Sequence, residues 1–136
     1  MRPIAIAFAA LACLAGRAQN PVVQSIIDAV DIGRLMADID SLSGQVPVDV
    51  GSGPQTIFSR NEAQPGNALA ADWLQQRIAQ AGLTPQLDIF SAGNGENVLA
   101  EWPGTVHPER KVIICGHYDS MPAGPVASPA ADDDGS

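Results

Sequence analysis

Positive charge is what this sequence most lacks. Seven Lys and Arg stand against fifteen Asp and Glu, for a formal net charge of −8 and an isoelectric point near 4.3. Nucleic-acid phosphates need Lys and Arg to neutralise them, so so acidic a chain is excluded as a nucleic-acid binder. Cysteine is nearly absent as well, at two residues. Beyond the first fourteen residues there is no long apolar run, and no internal repeat is visible. With 136 residues the chain holds at most one domain, and 13 Gly with 11 Pro is not a coiled-coil or disordered composition.

What is there begins with an export signal. Met1-Arg2 is a minimal positive start, Ile4 to Leu14 are apolar and Ala-rich, and Gly16 and Ala18 put small residues at −3 and −1 of a cut after Ala18. The pattern predicts a signal peptide over residues 1–18 and a mature domain over 19–136, secreted or periplasmic. The apolar run is too short to span a bilayer comfortably, so no membrane association is expected of the mature form unless Cys13 is lipidated. Cys13 lacks the usual Leu three residues before it, where Ala10 stands. Cleavage removes Arg2 and Arg17 and no acid, which takes the net charge to −10. It also leaves Cys115 as the sole cysteine, so no internal disulfide is expected. Cys115 sits in an apolar run and reads as a buried packing residue rather than a nucleophile.

Pro21 to Leu42 carries helical periodicity in two phases: Val22, Ile26 and Val30 on one stripe, Ile32, Leu35, Ile39 and Leu42 on another. Two short helices, or one with a break, are predicted, with Asp31 positioned to cap the second segment and Gly44 to end it. Residues 43–65 are rich in Gly, Pro, Ser and Gln and read as a long loop. The clearest helix is predicted over 66–81, with Leu69, Trp73, Leu74, Ile78 and Ala81 on its apolar face and Gly82 as its stop. Three strands are then expected. Residues 86–90 and 97–102 are joined by a turn-rich link of hairpin length. Residues 111–115, Lys-Val-Ile-Ile-Cys, form a β-branched run suited to a central strand buried on both faces. Helix, hairpin and buried strand together predict an α/β fold with mixed strand directions.

The chemistry gathers where that third strand ends, at Gly116-His117-Tyr118-Asp119-Ser120. Ligands of open α/β sheets bind at the carboxyl ends of strands. His117 and Asp119 are two apart, so an extended backbone projects them from one side. Asp119 would then accept a hydrogen bond from one imidazole nitrogen and orient the other towards a metal. A partly buried, hydrogen-bonded His is the alternative for such a motif alone. After a Pro- and Gly-containing loop comes Ala130-Ala131-Asp132-Asp133-Asp134-Gly135-Ser136. Contiguous carboxylates repel unless a cation sits among them. The cluster reads as a solvated acidic tail, as a calcium loop, whose acids normally alternate with other residues, or as a carboxylate bridging two cations. His107, in Thr-Val-His-Pro-Glu-Arg, reads as a surface turn residue.

The pairing of Gly-His-Tyr-Asp-Ser with Ala-Asp-Asp-Asp-Gly-Ser resembles the secreted co-catalytic di-zinc aminopeptidases, metallopeptidase family 28, whose relatives include bacterial leucyl aminopeptidases and glutaminyl cyclases. Upstream, Pro65-Gly66-Asn67 leading into Ala70-Ala71-Asp72-Trp73-Leu74 and Gly82 is similar to that family's early helix. Asn97-Val98 running to Trp102-Pro103-Gly104 is similar to the strand and turn before its metal strand. The likeness spans roughly residues 28–136.

The resemblance implies a three-layer α/β sandwich with a mixed, largely parallel central sheet of the zinc-exopeptidase type, with only its N-terminal half in this chain. It implies that His117 ligates one zinc, that Asp119 is the catalytic-site acid orienting that ring, and that Asp133 bridges two Zn2+ ions. Ala130 departs from the family's usual Gly and bears on the local loop conformation. The implied activity is exopeptidase cleavage of peptide substrates, as an aminopeptidase, through a metal-activated water. The family's general-base Glu and remaining ligands have no counterpart here, which implies that the chain alone is inactive and binds zinc weakly. Three alternatives stand beside this one. They are a secreted non-catalytic binding or scaffold protein of the same fold, a glutaminyl cyclase, and a metal-dependent deacylase of the M20 kind. The last shares His-x-Asp but has no matching Asp-Asp-Asp-Gly-Ser.

Overall fold

The computed structural model describes residues 20–90 and 95–120. The signal peptide, Cys13, part of the 91–95 link, the 121–129 loop and the Asp132–Asp134 cluster lie outside the described residues. The chain divides into two units, Met1–Ile32 and Gly33–Ser136. In the first, α1 spans Pro21–Asp28. Pro21 suits the first helical position because its missing N–H has no helical partner there. Asn20 caps the helix by accepting a hydrogen bond from the Val22 N–H at 2.9 Å. The Val22–Ile26 stripe is present but solvent-exposed in this unit.

The second unit starts in α2, Ile32–Leu42, directly after Asp31. Two helices, or one with a break, were expected between Pro21 and Leu42, and two form. Gly44 ends the second in the left-handed region, at φ 73°, a conformation that favours glycine. The following segment, expected to be loop throughout, contains a short antiparallel ladder of β1, Val48–Asp49, and β2, Pro54–Gln55. The Asp49 carboxylate ties its turn by accepting from the Gly51 and Gly53 N–H groups at 2.8 and 3.1 Å. This is an Asx-type contact that a loop-rich composition conceals.

Helix α3 spans Pro65–Gln80. Its buried face is Asn67, Ala70, Ala71 and Trp73. Of the predicted stripe, Trp73 is buried and Leu69 and Leu74 pack against the core, while Ile78 is half-buried and Ala81 exposed. Ala70 and Ala71 join Trp73 on the inner face, where small side chains let the helix approach closely. Val48, Ile57, Ala70 and Trp73 form the core, with Leu42, Val50, Leu69, Leu74 and Tyr118 packed around it. Arg77 joins α3 to α2 through Asp38 at 2.8 Å and lies over the Trp73 ring at 5.8 Å.

The hairpin expected after α3 forms from β3, Gln86–Ile89, and β4, Glu96–Leu99, antiparallel with Leu87 opposite Val98. Helix α3 packs against β4. The third strand is the main correction. Residues 111–115 are in no strand, and Val112, Ile113 and Ile114 are 90%, 86% and 94% exposed. A strand buried on both faces requires a neighbour on each side, and none of the described strands pairs with this run. Cys115, expected to be buried with it, is exposed. Helices and strands are combined as an α/β chain requires, but every strand pairing among the described residues is antiparallel. Among those residues, no helix is long and apolar enough to cross a membrane.

Candidate metal centre

Two segments distant in sequence meet beneath His117. One is the loop Ser59-Arg60-Asn61 with the first turn of α3; the other is Tyr118-Asp119-Ser120. Pro65 opens the helix, and Gly66 then lies so close to the loop that a Cβ there would overlap the Ser59 carbonyl oxygen and sit 3.1 Å from the Ser59 carbon and nitrogen. That approach brings the Asn67 side chain onto the loop, where its Nδ2 donates to the Arg60 carbonyl at 2.7 Å. The same carbonyl accepts the Ser120 N–H at 3.2 Å. Asn61 Nδ2 donates to the Ser120 carbonyl at 3.4 Å, and the Asn61 N–H donates to Ser59 Oγ at 3.2 Å. Among the described residues the buried polar side chains are Ser43, Ser59, Asn61, Asn67 and Ser120. All but Ser43 belong to this clasp. The asparagine amides and the Ser120 backbone groups are hydrogen-bonded within it, as buried polar groups generally are, while Ser120 Oγ is buried without a hydrogen-bond partner.

Tyr118 turns inward from the segment and its neighbours turn outward, the alternation of an extended backbone. Its ring packs on the core, and its hydroxyl donates to the Glu96 carbonyl at 3.0 Å, with Asn67 Oδ1 at 3.5 Å. Burial first, then the Glu96 and Asp119 carboxylates, pushes its pKa up to about 12. His117 and Asp119 flank it on the exposed side. His117 Nδ1 lies 3.0 Å from Asp119 Oδ1, the contact that the His-x-Asp spacing predicts.

The two side chains border a cavity of about 360 Å3, also lined by Glu62, Asn67, Phe90 and Glu96. Its lining includes the acidic residues Glu62, Glu96 and Asp119, so its field favours a cation. An imidazole with one nitrogen beside a carboxylate is the arrangement that metal-bound His commonly shows. In donor type this pair suits a divalent zinc ion. Among the described residues no group of three or more His, Cys, Asp or Glu side chains converges on one point. Asp133 lies outside the described residues.

The imidazole–carboxylate contact is not diagnostic by itself. His107 Nδ1 lies 3.2 Å from Glu109 Oε1, with the same two-residue spacing, on the exposed turn expected for His107. What separates His117 is the clasp under it and the cavity beside it. Sequence reasoning passed over Asn61, Asn67, Glu62 and Glu96. The one available signal was Pro-Gly-Asn at a helix start, whose glycine and asparagine are better explained by close approach than by helix propensity.

An oriented imidazole at the rim of an acidic cavity is the kind of centre found in metal-dependent hydrolases. Residues 97–136 match the model of Peptidase family M28, a family of zinc metallopeptidases. The match takes in all of β4 but Glu96, together with His117 and Asp119, and supports a peptidase of that family. It covers under a third of the chain. No solved structure matches.

Proposed function

We propose that the chain is part of an exported zinc-dependent exopeptidase of the aminopeptidase type. The observation that carries this is the coincidence of the His117–Asp119 contact, at the rim of an acidic cavity, with the Peptidase family M28 match over 97–136. On this reading His117 would hold one zinc ion, Asp119 would orient its ring, and Asp133 would be the ligand shared by both ions. The chemistry that zinc supplies when bound is activation of water and polarisation of the scissile carbonyl. The carboxylates of Glu62, Glu96 and Asp119 suit the ammonium of a peptide N-terminus, which is the support for an aminopeptidase. Export rests on the pattern of residues 1–18.

Two protein ligands fall short of the three that a catalytic zinc needs. Further ligands, and a general base to take a proton from water, are therefore needed besides His117 and Asp133. The test is hydrolysis of amino-acid p-nitroanilides by the product of the whole reading frame. Turnover that a chelator removes, zinc restores and His117→Ala abolishes is expected. Turnover indifferent to chelator and to His117→Ala overturns the proposal.

A further inference from the structure

We infer that Asn61 and Asn67 are positioning residues for the metal centre, holding the backbone that presents His117. The inference rests on the zinc reading above and deepens it. Three features of the structure lead to it.

The first is connectivity. Asn67, 6% exposed, donates to the Arg60 carbonyl, and that carbonyl also accepts the Ser120 N–H. Asn61, 9% exposed, donates to the Ser120 carbonyl. Both polar groups of the Ser120 backbone are therefore tied to one loop: Asn61 bonds it directly, and Asn67 bonds the carbonyl that accepts its N–H. Tyr118 is tied on the other side of Asp119 through its hydroxyl to β4 and towards Asn67 Oδ1. Asp119 thus sits between two anchored residues, with His117 next in line.

The second is the contrast with His107 and Glu109. Their contact has nearly the same length as that of His117 and Asp119. Yet their segment is fixed by the Arg110 N–H to His107 carbonyl bond, at 3.0 Å, and by ion pairs of Arg110 with Glu109 and of Lys111 with Glu101, all on exposed residues. A carboxylate two residues away orients a ring only relative to its own backbone. Fixing the ring in the molecule requires fixing that backbone, and the His117 pair has buried hydrogen-bonded neighbours for it where the His107 pair has exposed ones.

The third is the chemistry of asparagine. Each amide offers two donors and an acceptor in one plane, and Asn67 uses both ends, on the Arg60 carbonyl and towards the Tyr118 hydroxyl. An Asp there is nearly the same size but cannot donate when ionised. A metal ligand held within about 0.5 Å of its working position by such supports loses affinity when they go.

The experiment compares the full chain with Asn67→Ala, Asn67→Asp and Asn61→Ala. Buried Trp73 reports folding in each, so a variant that unfolds is replaced by the next. Two readouts are taken: amide hydrogen exchange of the Ser120 N–H without metal, and the zinc-induced shift of the His117 ring nitrogens in long-range 1H–15N spectra. In a folded variant, Ser120 exchange at least tenfold faster is expected. The zinc concentration needed for half the His117 shift should rise at least threefold, with the His107 ring unmoved throughout. Unchanged Ser120 exchange, or faster exchange with an unchanged zinc midpoint, overturns the inference and leaves the zinc reading standing. Absence of any His117 shift in the unsubstituted chain overturns the zinc reading itself, and with it this inference.

Discussion

Replacing Gly66 by Ala tests the close contact on which the site is built. In an ordinary helix Ala is favoured over Gly by about 1 kcal/mol, so propensity alone predicts a more stable protein. Here the added methyl meets the Ser59 backbone, which no side-chain rotation relieves. The helix and loop must part, at an overpacking cost of about 1–3 kcal/mol. Parting them also strains the Asn67 and Ser120 bonds to the Arg60 carbonyl. Asn67 and Ser120 are 6% and 2% exposed, and a buried donor left unpaired costs about 1–3 kcal/mol. Offsetting the propensity gain, the net loss is about 2 kcal/mol. The assay is urea unfolding followed by tryptophan fluorescence. Trp73 is 7% exposed and Trp102 79%, so the signal change reports Trp73 in the core. At an m-value near the low end for small proteins, about 1–2 kcal/mol per M, the midpoint falls by roughly 1–2 M. A midpoint equal to or above that of the unsubstituted chain refutes the reasoning.

Ile57 is fully buried in a core of few residues, so Ile57→Ala should cost about 2–5 kcal/mol by the same assay. Tyr118 is the only tyrosine, so its ionisation can be followed directly by tyrosinate absorbance, with half-titration expected near pH 12 rather than 10. Because the folded state holds this proton more tightly, the group's stabilisation is complete below pH 10 and is lost as the pH rises to about 12. Ile113 is 86% exposed, so Ile113→Asp should shift stability by no more than about 0.5 kcal/mol. In a chain beginning after Ala18, the exposed Cys115 thiol should react with a disulfide reagent without denaturant.

The sequence was most legible where local chemistry decides the structure. The change of helical phase near Asp31, Gly44 as a stop and the hairpin after α3 all rest on periodicity and turn residues, and all appear. Ladder and helix-face details were less accessible. The β1–β2 ladder depends on Asp49 reaching two glycine N–H groups, and the inner face of α3 was legible only in part because Ala70 and Ala71 carry little hydrophobic weight. Residues 111–115 expose the limit of the method. A β-branched run states a preference for a buried strand, but burial depends on neighbours that a local pattern does not contain.

At the site, His-x-Asp predicted its own contact because two residues of extended chain determine it. The clasp beneath was invisible, since Asn61 and Ser120 are joined across 59 positions and no spacing rule links them. Pro65-Gly66-Asn67 stood out only as a likeness until Gly66 was seen against Ser59.

The central claim is that His117, held by Asp119, is a zinc ligand. It is tested most directly by titrating zinc into the chain while observing both histidine rings by long-range 1H–15N NMR, since His107 and His117 are the only two. The prediction is a weak, saturable shift at the His117 ring alone, lost in Asp133→Asn and weakened in Asp119→Asn. Zinc perturbing His107 and His117 alike, or a His117 response indifferent to both substitutions, would contradict it.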